Sequence, residues 1–165
     1  MLNIITNILL TVMSILSSSN VLVTNLEQNQ IESQQLMNVL ISTEENETQI
    51  SLEINLDGTG KAEIQTGIGF FDHMLTLFAF HSEMDIKMIC HGDLEVDSHH
   101  SVEDMGIALG KTILEALGDK KGITRYGHFT IPMDEALVTC NLDISGRSFL
   151  VFNVDIPKVN LGNYE

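Results

Sequence analysis

Apolar and polar residues alternate from residue 50 onwards, and this alternation predicts a strand. Residues 50–56 (ISLEINL) place an apolar side chain at every second position, which is the period of a strand with one buried face. Residues 57–60 (DGTG) are typical of a turn, and the alternation continues at Ala62 and Ile64. The pattern therefore predicts a hairpin in which Ala62 and Ile64 lie on the returning strand.

A helix is predicted over residues 69–84 (GFFDHMLTLFAFHSEM), followed by a strand and its exit loop over residues 85–96 (DIKMICHGDLEV). The spacing of the apolar side chains gives this helix one face suited to burial. The residues expected on that face are Phe71, Met74, Leu75 and Phe78.

A second helix is predicted to begin after Ser98, a suitable N-cap residue, and to continue up to Gly118. Its apolar face comprises Val102, Met105, Leu109, Ile113 and Leu117. Three further strands are predicted, in residues 128–131 (HFTI), 136–144 (ALVTCNLDI) and 148–154 (SFLVFNV).

The N-terminal segment differs in composition from the rest of the chain. Residues 1–26 contain no charged side chain, but no Lys or Arg flanks them, and Asn, Thr and Ser interrupt the apolar residues. A bilayer-spanning helix needs about 20 consecutive apolar residues. We therefore favour a poorly ordered extension over a signal peptide or membrane anchor, and we predict that the polar residues 27–46 form a linker. Residues 1–46 together make the first segment of the domain organisation.

A short internal similarity suggests a duplication. Residues 55–61 read NLDGTGK and residues 141–147 read NLDISGR, 86 positions later. A chance likeness of two turns is the alternative. If the duplication is real, residues 47–118 form a first half-repeat and residues 122–165 begin a second one. A second copy of the histidine-rich segment 99–103 would fall near position 185, so we expect the second half to be incomplete in this chain.

Charge excludes one class of partner. The net charge is −15, from 23 acidic and 8 basic residues, and no basic run is present to neutralise nucleic-acid phosphates. The acidity is favourable for attracting a divalent cation. Cys90 and Cys140 lie in strand-like runs without a CxxC motif, which favours two reduced, buried thiols of a cytosolic protein over a disulfide or a zinc site.

The start of the second predicted helix has metal-ligand chemistry. Residues four apart share one face of a helix, whereas neighbours point about 100° apart. His99 and Glu103 can therefore bind one cation, while His100 points towards a second, and His73 is a reasonable companion for either. Nitrogen and carboxylate ligands fit manganese, iron or zinc. Solvated or capping histidines are the alternative interpretation.

Other polar residues extend the candidate site. His81 lies two turns after His73 on roughly the same side of the first helix, where it is placed to contact a substrate. Arg125 and Arg147 are the two arginines of the chain, and their planar side chains suit a phosphate or carboxylate, with surface salt bridges as the alternative. The acidic residues that are candidates to orient the imidazoles are Asp72, Asp93, Asp97 and Asp104.

Several motifs, in order along residues 47–165, resemble the imidazoleglycerol-phosphate dehydratases of histidine biosynthesis. They are TGIGFFDHML (66–75), His81, GDLEVDSHHSVEDMGIALG (92–110), RYG (125–127), IPMDEAL (131–137) and DISGR (143–147). The resemblance implies an α+β fold of two similar halves, each a four-stranded sheet with two helices, as in domain 2 of ribosomal protein S5. In this chain the second half is expected to be incomplete.

The resemblance also implies a cofactor, an assembly and a set of site residues. Family members are manganese enzymes with two ions per complete site, and they form 24-subunit shells with active sites between subunits. The metal ligands implied here are His73, His99, His100 and Glu103. The substrate, a small phosphorylated imidazole compound, would contact these ligands and also Glu47, His81, Arg125 and Arg147, with Glu47 and His81 as candidate catalytic residues. No nucleic-acid or membrane partner is expected.

The implied reaction removes water from imidazole glycerol phosphate to give imidazole acetol phosphate, with Glu47 as the candidate base. The chain departs from the family pattern at Thr43 and Glu45, which replace an Arg and a Thr, and it has no second HHxxE motif. We therefore expect the 165-residue chain alone to bind manganese weakly and to turn over little substrate. The alternatives are a metal-binding or assembly subunit that needs a complementary chain, and a membrane-tethered or exported protein.

Overall fold

The computed structural model describes residues 24–25, 36–42, 48–95 and 97–153. Within these ranges it contains two helices and seven strands. The helices are α1 (Gly69–Ser82) and α2 (His99–Ala116). The strands are β1 (Thr24–Asn25), β2 (Leu36–Ser42), β3 (Thr48–Asn55), β4 (Ala62–Gln65), β5 (Asp85–Gly92), β6 (Tyr126–Met133) and β7 (Ala136–Asp143). The predicted α+β class is confirmed.

The larger sheet has the order β1-β2-β3-β5-β4, so the predicted hairpin between β3 and β4 is wrong. β5 lies between them, antiparallel to β3 and parallel to β4. The turn residues were identified correctly, but the carboxylate of Asp85 accepts hydrogen bonds from the backbone N–H groups of Thr59 (2.7 Å) and Lys61 (2.9 Å). These bonds attach the turn to the start of β5. The chain after the turn then forms β4, which pairs with the edge of β5 that faces away from β3.

The second correction concerns the segment that we predicted to be a linker. Leu36–Ser42 forms β2 and pairs antiparallel with β3, from Leu36 opposite Asn55 to Ser42 opposite Gln49. The local pattern of these residues is weak, and the strand forms because its backbone pairs with β3, the next strand along the chain. Of the predicted extension, Thr24–Asn25 forms β1 and pairs with β2, while residues 1–23 and 26 lie outside the described residues. The bounds of the two half-repeats stay predictions.

One hydrophobic core lies between the larger sheet and the two helices. Phe71, Met74 and Leu75 of α1 are buried, as predicted, but Phe78 is only partly buried and Ala79 is buried instead. Positions 71, 75 and 79 continue one line along the helix at a spacing of four, with Phe78 at its edge. The core residues from the other elements are Ile50, Leu52, Ile54, Ile86, Met88, Cys90, Met105, Ala108 and Leu109.

β6 and β7 form a separate two-stranded sheet. Tyr126 pairs with Asp143 at one end and Met133 with Ala136 at the other, where Asp134 adopts a φ of +50° in the turn. Both strands were predicted. The predicted bounds of β6 (residues 128–131) are shorter than the observed strand, and those of β7 (residues 136–144) are one residue longer. A third strand was predicted in residues 148–154. Residues 148–153 form no regular element, and residue 154 lies outside the described residues.

The two similar heptapeptides occupy matching places in the fold. Residues 55–61 begin at the end of β3, which is the second strand of the antiparallel pair β2–β3. Residues 141–147 begin near the end of β7, which is the second strand of the antiparallel pair β6–β7. This correspondence agrees with a duplicated architecture. In the part of the chain that the structure describes, no helix has both the length and the apolar character needed to cross a membrane.

Candidate functional site

The first two residues of α2 are the adjacent histidines. Ser98 occupies the N-cap position, as predicted, while the neighbouring Asp97 carboxylate accepts a hydrogen bond from the backbone N–H of His99 at 2.8 Å. This bond satisfies one of the amide groups that the first turn of a helix leaves without a partner. Asp97, a candidate to orient an imidazole, therefore bonds the main chain at His99.

His99 and Glu103 share one face of α2. The Nε2 atom of His99 lies 3.7 Å from Oε2 of Glu103, and both side chains are exposed. The ring of His100 has its centroid 5.8 Å from that of His99, with an angle of 58° between the ring planes. One turn of helix thus presents a nitrogen–oxygen pair in one direction and a second imidazole in another, and these are donor types that divalent transition metals bind.

The start of α2 packs closely on the ends of β3 and β5. Ser101 and Thr48 are both buried, and Thr48 pairs with Gly92 in the sheet. A Cβ atom added at Gly92 would overlap the Ser101 hydroxyl and lie 3.2 Å from the Ser101 Cβ. The absence of a side chain at Gly92 therefore lets the start of α2, which carries the histidines, pack against the end of β5 at Ser101. The sequence pattern does not single out Gly92 and Ser101, although a glycine at a strand end is a signal of close packing. Glu47 lies outside the described residues.

A partly buried hydrogen-bond cluster fixes the start of α1. One carboxylate oxygen of Asp72 accepts bonds from the backbone N–H of Thr66 (2.9 Å) and from its hydroxyl (2.5 Å). The Thr66 hydroxyl also accepts a bond from the backbone N–H of Ile68 at 3.2 Å. These bonds join the helix to the end of β4, next to His73, whose side chain is exposed. Asp72, also a candidate to orient an imidazole, therefore positions the start of the helix.

His81 lies in the last turn of α1 and is exposed. Its ring packs edge-to-face against Phe80, with centroids 5.2 Å apart. Among the described residues, no three His, Cys, Asp or Glu side chains are placed to hold a metal ion together. The structure thus brings His99 and Glu103 together but does not assemble the predicted four-residue ligand set with His73 and His100 into one cluster.

Arg125 and Arg147 flank one end of the small sheet. The Arg125 Nε atom donates a hydrogen bond to Oδ1 of Asp143 at 2.5 Å, and Nη2 donates to Oδ2 at 3.0 Å. The guanidinium carbon also lies 5.0 Å from the centre of the Tyr126 ring. These bonds from Arg125 lower the pKa of Asp143, with a smaller contribution from the charge of Arg147, and the carboxylate in turn raises the pKa of Arg125.

The loop after β7 carries the second arginine. The backbone N–H of Arg147 donates to the Ser145 hydroxyl at 3.2 Å, and Gly146 has a φ of +79°, which favours glycine. A Cβ atom at Gly146 would lie 3.9 Å from Nζ of Lys120. This end of the sheet therefore gathers positive charge in a chain whose net charge is −15.

The two cysteines have different surroundings. Cys90 is buried, and its desolvation, assisted by the negative charges of Asp104 and Asp72, raises the pKa of its thiol to about 11. Cys140 was also predicted to be buried but is only partly so, and partial desolvation raises the pKa of its thiol. Both environments favour the neutral thiol over the reactive thiolate.

Comparison with known proteins identifies a consistent set of relatives. Residues 66–165 match the family profile described as imidazoleglycerol-phosphate dehydratase. The chain is 66% identical over 123 residues to the imidazoleglycerol-phosphate dehydratase of Lactococcus lactis subsp. lactis, covering 72% of this chain and 62% of that protein. It is 59% identical over 117 residues to the corresponding protein of Clostridioides difficile, covering 71% and 61%. The chain thus spans less than two thirds of the length of these relatives.

Solved structures show the same likeness in three dimensions. The imidazoleglycerol-phosphate dehydratase of Staphylococcus aureus subsp. aureus N315 is 40% identical and superposes with a TM-score of 0.66, covering 78% of this chain and 69% of that one. The Pyrococcus furiosus structure in complex with (S)-C348 is 37% identical, with a TM-score of 0.59, and the match covers 73% and 62% of the two chains. The likeness therefore extends to both sequence and fold.

Proposed function

The chain belongs to the imidazoleglycerol-phosphate dehydratase family, and from this premise we propose that the protein takes part in the metal-dependent removal of water from imidazole glycerol phosphate. The product would be imidazole acetol phosphate, in histidine biosynthesis. The reaction class is that of a hydro-lyase, in which a carbon–oxygen bond breaks without hydrolysis or oxidation.

The first turn of α2 is the observation that carries this proposal. The 3.7 Å approach of His99 to Glu103 provides a nitrogen and an oxygen ligand on one side. His100, with its ring inclined at 58° to that of His99, provides a nitrogen ligand in another direction. We assign these residues, with His73, to two manganese ions per complete site, and the nitrogen–carboxylate donor set is compatible with that metal.

The two arginines supply the chemistry for the phosphate end of the substrate. Arginine is always charged, and its planar guanidinium matches the geometry of phosphate oxygens. We assign Arg125 and Arg147 to this role. Their clustering at one end of the β6–β7 sheet supports the assignment, because a dianionic group needs concentrated positive charge in a chain that is otherwise acidic.

The proton that the reaction removes is attached to carbon and is weakly acidic, so the substrate ring must be activated. Bound divalent cations would supply Lewis acidity at the ring nitrogens. The side chains of His99, His100 and Glu103 would fix where the ring binds, and the arginines would fix the other end of the substrate. We propose Glu47 as the base and His81, exposed at the end of α1, as a second proton-transfer group.

We extend the proposal to the assembly. His73, His81, His99, His100 and Glu103 are all exposed in the described part of the chain, so another subunit can approach them. This exposure supports an active site completed between subunits of a homo-oligomer, and the resemblance implies a shell of 24 copies. Native mass spectrometry of the protein expressed from its complete gene measures the subunit number directly.

The decisive experiment removes both histidines from the first turn of α2. We expect His99→Ala/His100→Ala, in the protein expressed from its complete gene, to lose most bound manganese and to slow turnover of imidazole glycerol phosphate more than about 100-fold, because outer partners of metal ligands alone are worth about 10–100-fold. His91→Ala/His128→Ala is the matched control, since it also removes two exposed imidazoles.

Unchanged manganese content and turnover in the double variant would refute the metal assignment. Manganese binding by the wild type without any dehydration would instead favour the metal-binding or assembly subunit. The control double variant separates a specific loss from a general effect of removing histidines.

A further inference from the structure

We propose that Asp143 is a positioning residue for the phosphate site, and that it acts by orienting the guanidinium of Arg125. The inference rests on the proposed function. It adds a carboxylate to a site whose other assigned members are arginines, and it follows from how the β6–β7 sheet arranges these side chains.

Strand pairing brings the two residues together. Asp143 is the last residue of β7 and lies opposite Tyr126, the first residue of β6, while Arg125 directly precedes Tyr126. The backbone N–H of Ile144 donates to the carbonyl oxygen of Arg125 at 3.0 Å, so the pairing continues one step beyond the strands. The main chain therefore fixes the distance between Asp143 and Arg125 before their side chains interact.

The carboxylate uses one edge of the guanidinium and leaves another available. Both Asp143 oxygens accept bonds from Arg125, one from Nε at 2.5 Å and one from Nη2 at 3.0 Å. A guanidinium presents its N–H donors in a rigid plane, so a carboxylate on the Nε–Nη2 edge leaves the Nη1 donors and the second Nη2 donor directed away from it. Those donors can bind a second oxyanion.

Other contacts restrict the same side chain. The guanidinium carbon lies 5.0 Å from the Tyr126 ring centre, which limits rotation about the last bonds of the arginine. The Arg125 and Asp143 side chains are each 44% exposed, so the free edge is accessible to a ligand. The arrangement orders a long, flexible cation before substrate arrives, and less conformational entropy is then lost on binding.

The negative charge of Asp143 does not prevent phosphate from binding at this end of the sheet. Arg125 and Arg147 both act on its carboxylate and stabilise its charged form. Two cations and one anion leave this end of the sheet positive, and Lys120 lies beside Gly146 in the same region. The Asp143 carboxylate therefore orients the Arg125 guanidinium without cancelling the attraction of the neighbouring positive charges for phosphate.

The test uses Asp143→Asn in the protein expressed from its complete gene. The amide has nearly the same shape, but an NH2 donor replaces one of the two acceptor oxygens that bond Nε and Nη2 of Arg125. We expect KM for imidazole glycerol phosphate and the inhibition constant of inorganic phosphate both to rise about five- to tenfold, with kcat within about twofold of wild type. In an Arg125→Lys background, the same change should have little further effect.

Asp119→Asn is the matched control. Asp119 also accepts bonds from a nearby cation, since its carboxylate lies 2.5 Å from Nζ of Lys121, but its bonds go to Lys121 and not to Arg125. We expect KM and phosphate inhibition to be unchanged. If Asp143→Asn does not fold, Asp143→Glu provides the same test with the charge displaced by one methylene group, and KM should again rise.

Three results would overturn the inference. Unchanged KM and phosphate inhibition would show that Asp143 does not act on the anion site, and a lower KM would show that it competes with phosphate for Arg125. An equal loss in the Arg125→Lys background would show that it acts independently of Arg125. A wild-type protein that does not dehydrate the substrate would refute the proposed function, which is a distinct outcome.

Discussion

β3 and β6 are strands of equal length with alternating apolar residues, yet their burial is opposite. In β3, Ile50 and Leu52 are 2% and 1% exposed, whereas in β6 Phe129 and Ile131 are 71% and 58% exposed. β3 has an antiparallel partner on each side and β6 has one, but strand pairing engages the edges of a strand and not its faces, so it does not account for the difference in side-chain burial.

The difference follows from what lies on the apolar face of each sheet. α1 and α2 pack against the sheet that contains β3 and form the core with it. Every residue of β6 is exposed in the described part of the chain. Alternation therefore identifies a strand with a face suited to burial, but the stabilisation arises only when another element removes that face from water.

Replacing one phenylalanine in each region gives the largest expected contrast. Phe71→Ala removes a side chain that is 2% exposed and should lower the free energy of unfolding by about 3–5 kcal/mol. Phe129→Ala should cost less than about 1 kcal/mol in the 165-residue chain, because its ring remains largely in contact with water. Urea unfolding of both variants measures the difference. Similar costs would show that another surface covers the β6–β7 sheet.

A smaller effect is expected where α2 is seated on the sheet. Gly92→Ala would force a methyl group against Ser101, and overpacking of this kind costs about 1–3 kcal/mol. Gly69→Ala is the matched control, because the added Cβ meets no atom within 4 Å beyond its chain neighbours and its own helix backbone, and alanine is the better helix former. Thermal unfolding should show a loss for the first variant and no loss for the second. Equal stability of the two would mean that the helix start shifts without cost.

The smallest effect concerns the carboxylate that attaches the turn to β5. Bonds from the Thr59 and Lys61 N–H groups lower the pKa of Asp85. Its contribution to stability is therefore present above the unfolded-state pKa of about 3.9 and is lost as pH falls through the lower folded-state pKa. Asp85→Asn should be less stable than wild type at pH 7, and the difference should shrink below about pH 4.

Asp57→Asn is the comparison for that titration. Asp57 bonds within the turn through its backbone N–H and not through its carboxylate: the N–H donates to the Asn55 side-chain oxygen at 3.1 Å. Denaturant midpoints from pH 3 to pH 7 should therefore separate Asp85→Asn from Asp57→Asn. A pH-independent loss at Asp85 would contradict the role of its charge.

Local sequence patterns were sufficient for several elements and for part of the candidate site. The period of two predicted β3, the period near 3.6 predicted both helices, and the i, i+4 spacing placed His99 and Glu103 on one face. These features depend on residues close in sequence, whose relative positions the backbone geometry of a strand or helix fixes. For the same reason, the different direction of His100 could be predicted without a tertiary structure.

Long-range contacts decided the rest. The sequence did not indicate that β5 separates β3 from β4, that Leu36–Ser42 forms a strand between β1 and β3, or that Asp143 forms an ion pair with Arg125. Backbone hydrogen bonds between strands are nearly independent of side-chain identity, so the choice of strand neighbour depends on the packing of the whole sheet. Local periodicity by itself determined which elements form and which side chains share a face, whereas the tertiary structure decided which faces are buried and which distant charges meet.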